Sequence, residues 1–204
     1  MGAFRATGNS DNIGVTVGFE VIRKGIDWRH KLNALADYQQ TDGRTTREQL
    51  LVAYEPQYSL DDSIFLYGLG QLERDRFQGF ANRLSLSGGV GYRLIETDDI
   101  QLSVKGGPAY RRTNFIDGGT ESRLAALAAL DFDWQLAENI AFTQDANAFL
   151  QSGNSTFVSN TGLKAGLGGG LSARIAYAVE YDTNPPLDAV SVDTLTRFTL
   201  VYGF

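Results

Sequence analysis

The 204-residue chain contains no cysteine, one histidine (His30), one methionine and four prolines. Without cysteine neither a disulfide framework nor a thiolate metal site can form, and a lone histidine cannot build a His-rich one. No metal or other cofactor is expected, and metal catalysis through His or Cys is excluded. Positive charge is also scarce: 18 Lys and Arg against 24 Asp and Glu leave a formal charge of −6. No basic stripe is present to neutralise a run of phosphates, which argues against nucleic acid as a partner. Nor does any apolar run approach the ~20 residues that a transmembrane helix needs. A helical membrane protein is excluded; a barrel is not.

The opening segment, Met1-Gly2-Ala3-Phe4-Arg5-Ala6-Thr7, lacks the basic, apolar and small-residue regions of a secretory signal. The expectation is a mature or trimmed chain whose single domain covers residues 1–204.

What the sequence has in abundance is glycine, 23 residues, and period-two alternation from end to end. Candidate strands fall at about 2–7, 12–23, 28–39, 47–60, 64–75, 81–94, 100–112, 122–136, 140–151, 156–167, 171–182 and 192–204, an all-β chain of about twelve strands. Their length decides the class. Twelve residues at ~3.3 Å each, tilted by ~45°, rise about 28 Å, which matches an apolar membrane band of ~25 Å. Soluble strands usually run only about 5–6 residues. The pattern predicts a transmembrane, antiparallel, up-and-down β-barrel.

The connections support it. Lys24–Asp27, Asp61–Ser63, Ile95–Asp99, Ala137–Asn139 and Gly168–Gly170 read as tight turns. The longer polar stretches Gln40–Thr46, Asn114–Glu121 and Thr183–Ser191 read as outer loops, with Arg76–Phe80 and the short Gly8–Asp11 and Ser152–Ser155 on the same side. Short turns and both termini are expected to face the periplasm. The Gly-rich run Gly166-Leu167-Gly168-Gly169-Gly170 lacks the Lys-Ser/Thr and helix of a phosphate loop and reads as a hairpin turn.

Along each strand one face is apolar. Ile13, Val15, Val17, Phe19 and Val21 share a face, as do Leu84, Leu86, Val90 and Tyr92, then Leu124, Leu130, Phe132 and Trp134, then Ile175, Tyr177, Val179 and Tyr181. These are predicted to face lipid. The opposite parity carries Glu20, Arg29, Lys31, Asp37, Arg83, Arg93, Lys105, Arg111, Asp131, Asp133, Asp145, Lys164, Arg174, Glu180 and Arg197, predicted to line a narrow lumen. Counting from the tight turns sets Asp131 opposite Asp145 and Lys164 opposite Arg174, so an acidic wall adjoins a basic one, and Glu20 faces Lys31. The expectation is that the two walls hold each other, either as a network filling the interior or as a transverse field across a water-filled passage. Pro56 and Pro108 fall inside strands, where bulges are expected. The strand 64–75 is apolar on both faces, Ile64, Leu66 and Leu72 against Phe65, Tyr67 and Leu69, so its register stays open.

The closing strand carries Phe198, Leu200, Tyr202 and a terminal Phe204 on one parity. An aromatic final residue on an alternating strand resembles the closing strand of outer-membrane barrels, and that resemblance implies a signal read by the barrel-assembly machinery.

Four segments, Gly8-Asn9-Ser10-Asp11, Glu73-Arg74-Asp75-Arg76-Phe77, Gly106-Gly107-Pro108-Ala109-Tyr110-Arg111 and Tyr181-Asp182-Thr183-Asn184-Pro185-Pro186, together carry a resemblance over essentially the whole chain. In their order and spacing the chain resembles the salt-induced outer-membrane protein family, a domain of unknown function. The resemblance implies a barrel in the Gram-negative outer membrane, with bilayer lipid and lipopolysaccharide as its surroundings. It implies no activity and no catalytic or ligand residue.

Two enzyme-like features weigh little. His30 shares the outward parity of Trp28 and has no spaced serine beside it, so it reads as an interfacial histidine rather than part of a phospholipase-like pair. Glu73, Asp75 and Arg76 read as a solvated rim cluster that binds cations or lipopolysaccharide phosphates, not as an omptin-like acid–base pair. The expected function is a small passive channel or an envelope-integrity barrel, monomeric and not an enzyme. The alternatives are a membrane-embedded hydrolase and a soluble lipocalin-like carrier, the latter requiring the apolar side chains to face inward.

Overall fold

In the computed structural model the described residues are 2–6, 12–185 and 190–202. The Gly8–Asp11 connection, Pro186 and the terminal Gly203-Phe204 lie outside them. Twelve antiparallel strands follow one another in chain order: β1 (Gly2–Ala6), β2 (Asn12–Lys24), β3 (Trp28–Thr41), β4 (Arg44–Ser59), β5 (Ile64–Asp75), β6 (Phe80–Glu96), β7 (Ile100–Phe115), β8 (Thr120–Ala137), β9 (Ile140–Gln151), β10 (Thr156–Gly168), β11 (Leu171–Asp182) and β12 (Val192–Tyr202). Each pairs with its sequence neighbour in one up-and-down sheet. The sheet curls so that β12 comes within 8 Å of β1 between Cα atoms, with no hydrogen-bonded ladder between them among the described residues. From β2 to β12 the strands run 11 to 18 residues, the span an apolar bilayer core requires.

Parity is as expected. Phe19, Val21, Val90, Tyr92, Leu124, Trp134, Ile175, Tyr177, Tyr181, Phe198 and Leu200 are all exposed on the outer face. Leu124 is 83% exposed and Phe198 76%, values that only a lipid environment makes favourable for side chains of this size. A lipocalin-like carrier requires the reverse. The open register of β5 is resolved by its pairing. Phe65, Tyr67, Leu69, Glu73 and Asp75 share the inner face, and Leu66 and Leu72 face out.

Two expectations fail. The stretch Gln40–Thr46 is not a long loop: β3 and β4 continue to Thr41 and Arg44, joined by Asp42 and Gly43 alone, both at positive φ (49° and 76°). That is the two-residue turn whose twist matches paired strands. Likewise β7 and β8 extend into Asn114–Glu121, leaving only residues 116–119 between them. Polar strand ends carry the ladder past the apolar band, so the two barrel ends differ less in loop length than composition suggests.

The bulges expected at the prolines are also absent. Pairing on either side of Pro56 keeps one register, with the Glu55–Leu69 and Pro56–Gly68 pairs missing, and Pro108 likewise faces a two-pair gap toward β6. A proline cannot donate, and a glycine opposite lets the neighbouring strand pass without an extra residue. Near Pro108 the need is steric: a Cβ on Gly89 or Gly107 would run into the facing backbone of the other strand.

Candidate functional site

The ladder registers set all fifteen charged residues named for the lumen on the inner face. They fall into three groups along the barrel.

At one end, Asp37 on β3 is buried and meets one hydroxyl and two guanidinium groups. Thr16 donates to it at 2.9 Å, and Arg47 (3.0 Å) and Arg197 (2.9 Å) pair with its carboxylate. Because Arg197 lies on β12, this ion pair joins the third strand to the last. The turn 76–79 leans across the same end: Gln78 donates to Glu180 of β11 at 3.2 Å, while the Asp75 carboxylate accepts from the backbone N–H groups of Phe77 and Gln78. Glu73 accepts from Gln49 at 3.3 Å and lies 3.8 Å from Arg83. Glu73 and Asp75 are 6% and 2% exposed, so they are not a solvated rim cluster. The inward parity of β5 turns both into the barrel and leaves only Arg74 and Arg76 outside.

In the middle, Lys105 bridges Glu55 at 2.9 Å and Asp131 at 3.0 Å, and Lys31 pairs with Glu20 at 3.3 Å. The like-charged neighbours read from the turns are present: Asp131 is opposite Asp145 and Lys164 opposite Arg174. The two walls, however, do not hold each other. Arg197 is committed to Asp37, Arg174 reaches Thr143 at 3.4 Å across the bare face of Gly162, and Asp131 is taken by Lys105. Asp133, Asp145 and Lys164 have no ion pair within 4 Å among the described residues. The register explains it. Lys164 is opposite Ala141, four residues along β9 from Asp145, and Lys105 stands diagonally beside Asp131 on the neighbouring strand.

At the other end Arg93 donates to the carbonyls of Asp61 and Asp62 and to Ser59 Oγ at 2.8 Å, lying 3.6 Å from Glu96. It borders a hollow of about 390 Å³ at the barrel mouth, with Lys24, Arg29, Gln57, Phe65 and Gln101 among its lining.

Sequence reasoning missed an apolar layer inside the barrel. Phe65, Tyr67, Ala109, Leu127 and Phe149 are buried together on the inner face of β5 to β9, with Leu69 and Ala125 against them. Basic side chains lie over lumen rings: Arg93 over Phe65 (5.0 Å), Lys105 over Tyr67 (5.9 Å), Arg111 over Phe149 (4.2 Å) and Arg83 over Phe80 (3.9 Å). Each such contact is worth about 0.5–2 kcal/mol. Arg111 also donates to Ser85 and Thr156. Away from this layer Glu20, Asp133 and Lys164 remain exposed. The rings of β5 to β9 thus pack under basic side chains, whereas Glu20 on β2 and Lys164 on β10 are on strands that contribute nothing to this layer among the described residues.

His30 stands outside, its ring 5.6 Å from Trp28 and nearly parallel to it, with Nδ1 2.8 Å from the Tyr54 hydroxyl. The glycine run is a turn, Gly168, Gly169 and Gly170 all having positive φ.

Over residues 1–204 the chain matches the family described as "Protein of unknown function, DUF481". It belongs to that family. It is 23% identical over 203 residues to a protein of Escherichia coli (strain K12) described as uncharacterized protein YdiY, spanning 100% of this chain and 80% of that one. Among solved structures the NanC porin is similar with a TM-score of 0.60 at 10% identity, covering 99% of this chain and 97% of the porin. A KdgM porin in complex with disordered oligogalacturonate gives 0.49 at 11% identity, covering 96% and 92%. The NanC likeness shows the fold: a porin-type barrel.

Proposed function

We propose that this member of the family is a small passive channel of the Gram-negative outer membrane. The observation that carries the reading is the division of the lumen. The inner face of β5 to β9 is packed with aromatic and aliphatic groups, while Glu20 on β2 and Lys164 on β10 stay exposed on strands outside that layer, so the proposed solute path runs past β2 and β10. Charges lining a confined passage orient and select solutes by sign and dipole. The test is single-channel recording of the purified protein in planar bilayers. Discrete openings are expected, and a silent bilayer containing verified folded barrel would sink the channel.

A second reading rests on the same interior. The Lys105 bridge and the apolar layer are groups that also fill a closed barrel, in which case the protein supports the envelope without conducting. No residue carries a catalytic role in either reading, and His30 is engaged with Tyr54 rather than a serine.

The proposal extends to surroundings and biogenesis. The barrel sits as a monomer among phospholipid and lipopolysaccharide, and its closing Phe198-x-Leu200-x-Tyr202-x-Phe204 pattern is read by the assembly machinery. Deleting Phe204 should lower the yield of assembled barrel in cells far more than the stability of purified barrel, since one side chain contributes at most ~1.5–3 kcal/mol. Equal losses would count against a recognition role.

A further inference from the structure

A hollow of about 320 Å³ indents the outer face of the barrel, bordered by Trp28, Pro56, Tyr58, Leu66, Tyr67 and Gly68. Its origin lies in the backbone. Pro56 brings no N–H to β5, two pairs drop out of the ladder, and Gly68 has no side chain to fill the space left opposite. Trp28, Tyr58 and Leu66 have the outward parity of the lipid face. Water entering such a hollow would find too few polar partners, and a void would forfeit dispersion contacts along its walls. The occupant is therefore apolar and drawn from the bilayer.

A polar edge adjoins the hollow. Arg23, His30 and Pro56 stand at one level on β2, β3 and β4. Arg23 is exposed on the outer face and makes no ion pair among the described residues. The His30 ring is held between Trp28 and Tyr54, its Nδ1 at the Tyr54 hydroxyl, which leaves Nε2 without a protein partner among the described residues. A fixed cation and a ring nitrogen beside an aromatic-walled apolar hollow suit a lipid phosphate with one of its chains in that hollow.

The geometry points to a phospholipid-binding site on the outer wall. One acyl chain of a glycerophospholipid fills the hollow at Pro56 and Gly68, and its phosphate bonds to Arg23 and His30. The site does not depend on whether the lumen conducts.

The two tryptophans, Trp28 and Trp134, both face lipid and permit a direct test. The protein is reconstituted into phosphatidylethanolamine liposomes with a varied fraction of phosphatidylglycerol brominated on its acyl chains. Fluorescence is read from Trp28 alone (Trp134→Phe) or from Trp134 alone (Trp28→Phe). Trp28 is expected to reach half-quenching at a mole fraction about tenfold below that of Trp134, the ratio that ~1.4 kcal/mol of retention would give. Filling the hollow with Gly68→Leu should bring Trp28 onto the Trp134 curve, and Arg23→Gln should move it part of the way. Both substitutions lie on the lipid face, and heat-modifiable gel migration checks that each variant is folded. Coincident curves for the two tryptophans in the unfilled barrel would overturn the site, as would a Trp28 curve that Gly68→Leu leaves unchanged.

Discussion

Phe65 and Gly91 stand directly opposite each other on β5 and β6, and the Phe65 ring covers the bare glycine so closely that a Cβ at Gly91 would clash with its Cζ, Cε1 and Cε2. The ring is 1% exposed, with Arg93 over its face. Gly91→Ala should therefore destabilise the barrel by ~1–3 kcal/mol through overpacking. Phe65→Ala alone should cost about 3–5 kcal/mol. In the double variant the Gly91 penalty should largely disappear, an interaction energy of ~0.5–3 kcal/mol. Urea unfolding in detergent micelles measures the cycle, and strict additivity would mean that the ring has another place to go.

Asp37 anchors a second long-range relationship, because Arg47 and Arg197 converge on one carboxylate from β4 and β12. Asp37→Asn leaves two guanidinium groups without their counter-charge in a buried place, which should cost about 3–5 kcal/mol. The loss should appear as a lower urea midpoint and as earlier proteolysis near β12. Asp133→Asn, which breaks no ion pair, should have a much smaller effect in the same assay.

These two relationships also mark how far the sequence could be read. Alternation is clean on β11 and from Leu130 to Trp134 of β8, so Leu130, Phe132 and Trp134 and Ile175 to Tyr181 could be assigned to lipid from pattern alone. The tight turns Ala137–Asn139 and Gly168–Gly170 made the Asp131–Asp145 and Lys164–Arg174 pairs countable. On β5 that method stops, since both parities are apolar. What turns Phe65 and Tyr67 inward is Gly91 and Gly89 on the next strand, visible only once register is known. The Asp37–Arg197 pair spans 160 positions and exists only because the sheet curls. At Asp42-Gly43 the signal was present as a hairpin dipeptide, but the polar residues around it read as loop.

The lipid face gives a depth-dependent prediction. Ile175 points outward on β11, opposite Leu163 and Phe198 of its neighbours. Ile175→Arg should destabilise insertion by ~2–4 kcal/mol if the site is near the midplane, whereas arginine at an interfacial position costs ~0–1 kcal/mol. Folding yield into phosphatidylcholine vesicles reads this directly, and normal yield for the variant would contradict a lipid-facing position at that depth.

Asp61, in the turn between β4 and β5, accepts the backbone N–H of Ile64 at 2.6 Å and of Ser63 at 2.7 Å. Those two bonds, with a smaller contribution from Arg93, hold its carboxyl below the ordinary range. A depressed folded pKa means that its contribution is present above the unfolded value of ~3.9 and is lost as pH falls through the folded value. Asp61→Ala should thus lower the thermal midpoint at neutral pH, and the difference from wild type should shrink as pH drops below the usual carboxylate range. A difference independent of pH would assign the effect to chain stiffness at the turn rather than to the charge.

The acidic and basic walls of the interior do not meet. Lys164 and Arg174 are cross-strand neighbours of like sign, a placement that is unfavourable unless something compensates it, and Asp131 and Asp145 repeat the problem on β8 and β9. Lys105 answers Asp131, but Lys164 has no counter-ion within 4 Å among the described residues. In a conducting barrel the Lys164→Gln/Arg174→Gln double variant should therefore shift ion preference toward cations, and Asp133→Asn/Asp145→Asn should shift it toward anions. Both shifts should be large at low ionic strength, where the screening length is ~10 Å at 0.1 M, and should fade toward ~3 Å at 1 M. Reversal potentials across a salt gradient, recorded at both concentrations, separate the possibilities. Opposite shifts that fade with salt place both walls along the ion path. Shifts of the same sign would mean that one wall acts only through the fold of the other, and the passage would then run elsewhere in the barrel.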